Sequence, residues 1–124
     1  AYSGDSVPTH LITREAFSIY RSIMKPDGIF ALHLTNWHMN LWPLVKAAAQ
    51  EFGWQVTGSY SGQVIGEFAE ETGWAFLTDG PFSPRMPTCC RQVDWNKIRD
   101  KPLLRDECGS LLPYIEFNYV PPCQ

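Results

Sequence analysis

Three things are scarce in this chain: an excess of one charge, long apolar runs and paired metal-binding motifs. Lysine and arginine number 10 against 13 aspartate and glutamate, a formal charge of −3. That leaves no basic face or stripe and excludes a generic nucleic-acid binder. The longest apolar runs are a few residues, far short of the ~20 that span a bilayer, so no membrane contact is expected. No basic start followed by an apolar stretch opens the chain, so no signal peptide is read. No G-x-G-x-x-G follows a strand and opens a helix, so the glycine turn that brings backbone N–H groups close to a nucleotide is missing.

Cysteine is also uninformative. Cys89, Cys90, Cys108 and Cys123 form no C-x-x-C pair, so the common zinc spacing is unsupported. Adjacent Cys89 and Cys90 bridge each other poorly, and a Cys90–Cys108 disulfide stays open. The compartment rule points to free thiols and a cytoplasmic protein. His10, His33 and His38 are scattered, and no metal site is expected.

What is present fits a folded domain. Hydrophobic residues make up 44% and charged residues 19%, which argues against disorder. The 124 residues suit one domain, spanning 1–124. The chain opens without methionine on Ala1-Tyr2-Ser3-Gly4-Asp5 and is expected to be a portion of something longer.

Residues 1–12 read as a loop, punctuated by Gly4 and Pro8. A helix is predicted from about Thr13, with Thr13 as N-cap and Glu15 favouring the first turn. Ala16, Phe17, Tyr20, Ile23 and Met24 give it an apolar face. Lys25-Pro26-Asp27-Gly28 ends it in a tight turn. Residues 29–35 are almost continuously apolar, the pattern of a strand covered on both faces in a parallel sheet. His33, inside that strand, reads as a core or interface residue. Residues 36–40 form a loop, and Asn40 reads as the N-cap of a second helix, with Pro43 in its first turn. Leu41, Leu44, Val45, Ala48, Ala49 and Phe52 are its stripe, and Gly53 is its left-handed cap. Residues 54–60 and 74–78 read as strands, 80–88 as a proline-rich loop and 94–99 as one helical turn. The tail, 111–124, is aromatic and proline-rich. Helix–strand alternation gives an α/β fold of about three strands and two main helices with an irregular C-terminal tail.

Two stretches carry a resemblance. Asp5-Ser6-Val7-Pro8-Thr9-His10-Leu11-Ile12-Thr13-Arg14-Glu15-Ala16-Phe17 and Met24-Lys25-Pro26-Asp27-Gly28-Ile29-Phe30-Ala31-Leu32-His33-Leu34-Thr35-Asn36 resemble segments of the spermidine synthase-like family. Its members are polyamine aminopropyltransferases on the Rossmann-like fold of class I methyltransferases. The resemblance covers about the first 80 residues well and implies the carboxyl-terminal half of such a domain, a partial Rossmann-like sheet. The Gly-rich turn and acidic residue that build the nucleoside pocket in that family are not in this sequence.

The resemblance implies transfer of a three-carbon amine from decarboxylated S-adenosylmethionine to a diamine such as putrescine. The attacking amine must be neutral, so a carboxylate has to accept its proton. Asp5 matches the family's catalytic aspartate. Ser6 is expected to help hold that loop, and His10 to line the substrate pocket. Asn36 and Trp37 follow a strand's carboxyl end, where open α/β sheets place ligands, and are further substrate-binding candidates. Decarboxylated S-adenosylmethionine, or S-adenosylmethionine itself, would be the co-substrate of the full-length protein, and none is expected in this chain alone. In the family fold a strand ahead of residue 1 pairs with the 29–35 strand. With that edge unpaired, a homo-oligomer is expected. Two other readings are a class I methyltransferase relative, which needs no acidic diamine pocket, and a non-catalytic assembly module.

Overall fold

Thr13 sets the first helix. Its backbone is extended (φ −87°, ψ 165°), and its hydroxyl accepts a hydrogen bond from the Ala16 N–H at 3.3 Å. This satisfies one of the N–H groups that a helix start leaves without a partner. The helix, α1, spans Arg14–Ile23. The computed structural model in which it is seen describes residues 8–34, 39–61, 72–82 and 90–108.

Ala16 and Phe17 of α1 are buried, and Tyr20 and Met24 pack against the core. Ile23 departs from the expected stripe and is 75% exposed. At ~100° per residue it lies about 120° round the helix from Phe17, off the buried face. The Gly28 N–H then donates to the Lys25 carbonyl at 2.9 Å and closes the turn read at residues 25–28.

Four strands follow: β1 (Ile29–His33), β2 (Gln55–Ser61), β3 (Thr72–Thr78) and β4 (Cys90–Gln92). They form one sheet in the order β1-β3-β2-β4, and every neighbouring pair is antiparallel. β1 and β2, each antiparallel to β3, therefore run parallel to each other. The helix α2 (Trp42–Phe52) carries the chain from one to the other.

Two expectations are corrected here. β1 is not a doubly covered strand of a parallel sheet. It lies at the sheet border, and Ile29, Ala31 and His33 are exposed while Phe30 and Leu32 are half-buried. The sequence of this strand shows no alternation because Ile29 and Ala31 are apolar even on the open face. The sheet also has four strands rather than about three. β4 is only three residues long and sits in a stretch rich in turn formers. Its place is fixed by pairing with β2 (Ser59 opposite Gln92) and by a 2.9 Å hydrogen bond from the Val93 N–H to the Gly58 carbonyl.

Most of α2 follows its sequence, but Leu41 rather than Asn40 is its N-cap and makes no side-chain cap; Asn40, one residue earlier, accepts from the Trp42 N–H through Oδ1 at 3.2 Å, and Pro43 is tolerated in the first turn. Leu41, Leu44, Val45, Ala48 and Ala49 are buried. Gly53 ends the helix at φ 69°, ψ 26°, a conformation that glycine enters without steric penalty. α1 and α2 meet through an Arg14–Glu51 ion pair, and the Arg21 guanidinium lies 5.3 Å over the Trp54 ring. Beneath them Phe17, Tyr20, Phe30, Phe52 and Trp54 form a chain of edge and tilted ring contacts. This aromatic cluster glues the helices to one face of the sheet. Among the described residues, no helix is long and apolar enough to cross a membrane.

Candidate functional site

The parallel relation of β1 and β2 gives the sheet a carboxyl end. His33 and Leu34 leave β1 there, and Tyr60 and Ser61 end β2 there. The amino end of α1 lies instead beside the last turn of α2, where Arg14 pairs with Glu51. A short 3-10 turn, Thr9–Leu11, leads into it. The Tyr20 hydroxyl donates to the Leu11 carbonyl at 3.0 Å, and the Arg14 N–H donates to the Leu104 carbonyl at 2.7 Å. The first bond holds the approach segment against α1, and the second ties the Leu104 backbone to the start of that helix.

Of the five site residues expected from sequence, His10 is placed by the structure. It sits on the Thr9–Leu11 turn and is exposed. Asp5, Ser6, Asn36 and Trp37 lie outside the described residues, as do His38, Cys89 and Cys123.

A pair that sequence reading missed stands on the open face at this end. His33 faces Trp74 across the β1–β3 ladder, and their rings lie 4.8 Å apart at 33°. Trp74 is 41% exposed. The pair offers a flat aromatic surface beside the strand end. Its signal in the sequence was weak, because register, not spacing, brings the two residues together.

A half-open cleft of about 290 Å³ lies among the described residues at the opposite end of the sheet, between the Pro26–Ile29 turn and residues 78–82. Asp27 and Asp79 are both in its lining. Asp79 Oδ1 is already engaged by Arg21 Nη1 at 2.9 Å, and the Thr78 hydroxyl donates to the Gly80 carbonyl at 2.6 Å. Asp27 is the second carboxylate of that cleft and is exposed. Among the described residues, no cluster of three or more His, Cys, Asp or Glu could hold a metal ion.

Comparison with known proteins adds no name to this geometry: no family model, no curated protein and no solved structure matches the chain.

Proposed function

We propose that the chain is the carboxyl-terminal portion of a spermidine synthase-like aminopropyltransferase, built on a Rossmann-like sheet. One observation supports this best. β1 and β2 are parallel, joined by the helical crossover α2, with β3 inserted between them. A strand–helix–parallel strand unit is the building block of doubly wound sheets, which take ligands at the carboxyl ends of their strands. Asn36 and Trp37 follow β1 at that end in sequence, and Asp5 and Ser6 precede the Thr9–Leu11 turn in sequence.

In this reading the neutral nitrogen of a diamine attacks the propyl carbon bound to the sulfonium of decarboxylated S-adenosylmethionine. The C–N bond forms, and the C–S bond breaks with its electron pair left on a neutral thioether. Asp5 accepts the proton that the new ammonium loses. Ser6 and His10 line the approach, and Asn36 and Trp37 hold the chain of the amine, Trp37 through cation–π attraction to its distal ammonium.

The test is a titration of the 124-residue chain with putrescine, followed by NMR. Saturable shifts at the His10 and Trp37 ring signals that vanish in Asp5→Asn are expected. Absence of any shift at millimolar putrescine overturns the reading. A second reading, a non-catalytic assembly module, is favoured by the open border of β1.

A further inference from the structure

Two aspartyl–glycyl bonds line the same cleft, Asp27–Gly28 and Asp79–Gly80. They are the only Asp-Gly steps in the sequence, and no Asn-Gly step occurs. A glycine after aspartate gives the peptide nitrogen a flexible neighbour without a Cβ. That nitrogen can then attack the side-chain carboxyl carbon of the aspartate. The N–C bond forms, the carboxyl C–O bond breaks, and water leaves. The five-membered imide takes a water back. Where it opens at the original peptide carbonyl, the main chain continues through the side chain as isoaspartate, one methylene longer and unchanged in mass.

Both aspartates are exposed, so burial does not separate the two bonds. What holds them does. Asp27 is the third residue of the 25–28 turn, which is closed by the 2.9 Å hydrogen bond from the Gly28 N–H to the Lys25 carbonyl. Among the described residues, no ion pair or hydrogen bond engages its carboxylate. Attack therefore needs one exposed backbone bond to open, an event that turns undergo locally without global unfolding. Asp79 is held twice over. Its Oδ1 takes Arg21 Nη1 at 2.9 Å, and that guanidinium is seated 5.3 Å over the Trp54 ring. The Thr78 hydroxyl fixes the following residue by donating to the Gly80 carbonyl at 2.6 Å. Swinging the Asp79 carboxyl group onto the Gly80 nitrogen breaks the ion pair and works against that second bond.

We propose that the Asp27–Gly28 bond is a site of spontaneous backbone modification to isoaspartate, and that Arg21 protects the Asp79–Gly80 bond across the cleft from the same reaction. The change at residue 27 reaches the fold directly. A Cβ built on Gly28 would stand 2.9 Å from Met24 Cγ and 3.0 Å from the Lys25 carbonyl oxygen, and Met24 packs against the core. An extra methylene in so close a turn has to move the end of α1 against the start of β1. This inference goes beyond the proposed chemistry and uses none of the five candidate site residues.

Ageing of the 124-residue chain for several weeks at neutral pH tests it. Digestion with Asp-N protease, which cuts before aspartate and not before isoaspartate, followed by mass spectrometry reads each site. Isoaspartate is expected at residue 27 at least twofold ahead of residue 79. Arg21→Gln should speed residue 79 by about two- to fivefold, the gain expected from losing an exposed ion pair, and leave residue 27 unchanged. In concentrated urea the two sites should age alike. Absence of isoaspartate at residue 27 overturns the proposal, and so does a parent chain in which residue 79 keeps pace with it. An Arg21→Gln variant in which residue 79 stays slow, or in which both sites speed up together as a loosened fold would make them, overturns it as well. A difference that persists in urea does the same, because the flanking sequence rather than the fold would then set it.

Discussion

Trp42 lies against the bare backbone of Gly73. A Cβ built on that glycine would stand 2.9 Å from the indole Cζ2. Gly58, diagonally across the β2–β3 ladder, meets the other side of the same ring: its Cβ would stand 2.9 Å from Cζ3 and 2.7 Å from Val93. Trp42 is 2% exposed and Val93 equally buried. The first residue of α2 is thus seated in a hollow that only two glycines can provide.

Gly73→Ala and Gly58→Ala should each destabilise the fold by ~1–3 kcal/mol through overpacking. Gly58→Ala should cost more, because ring and Val93 close on it together. Urea denaturation gives the values. Trp42→Leu should relieve part of the Gly73→Ala penalty, giving a coupling of at least ~0.5 kcal/mol in a double-mutant cycle. Simple additivity would mean that the indole does not set the limit.

Gly53 presents the opposite case. Nothing lies within 4 Å of a Cβ placed there, yet its φ is 69°. Any loss on substitution is backbone strain alone. Gly53→Ala should lower stability by about 1 kcal/mol, and Gly53→Asn by less, since asparagine tolerates the left-handed region. Thermal melts of the two variants should separate in that order. Equal melting of all three would show that the cap does not govern the end of α2.

Thr13 supports the start of α1 in a comparable way. It is 1% exposed, and its hydroxyl accepts from Ala16. Thr13→Ala should cost ~1 kcal/mol, and Thr13→Ser should retain most of the capping. A serine variant as weak as the alanine one would assign the loss to the buried methyl group instead.

The helices were legible in the sequence because their signals are local. Thr13 and Gly53 are punctuation read from neighbours a few residues away, and the 3.6-residue period of Leu41, Leu44, Val45, Ala48 and Ala49 needs no tertiary information. Strand pairing is different. Ile29-Phe30-Ala31-Leu32 is apolar on both faces, so the sequence could not show that only Phe30 and Leu32 face the core or that the neighbour is the antiparallel β3. β4 was missed because three residues beside Pro-rich sequence carry too little pattern, and only their bonds to Ser59, Tyr60 and Ser61 define them. At the candidate site His10 came from a local motif. The His33–Trp74 pair arises from register across 41 residues of chain, which spacing alone does not encode.

Lys46 separates two kinds of electrostatic contact in one side chain. Its ammonium donates to the Ile98 carbonyl at 2.8 Å and pairs with Asp100 Oδ1 at 2.8 Å. The lysine side chain is 19% exposed, whereas that of Asp100 is 78% exposed. Water competes freely for the carboxylate, so the ion pair should contribute little, and Asp100→Asn should shift stability by no more than ~0.5 kcal/mol. The carbonyl belongs to a residue that is itself 5% exposed, where α2 meets the chain just after the Trp95–Lys97 turn. Lys46→Met keeps the apolar stem but removes the donor, leaving that acceptor with less hydration than it has in the unfolded chain. A loss of ~1–2 kcal/mol is expected, nearly unchanged between low and high salt in urea titrations. If Asp100→Asn proved the more damaging change, or if salt erased the Lys46→Met effect, the charge pair rather than the hydrogen bond to Ile98 would be what ties α2 to this segment.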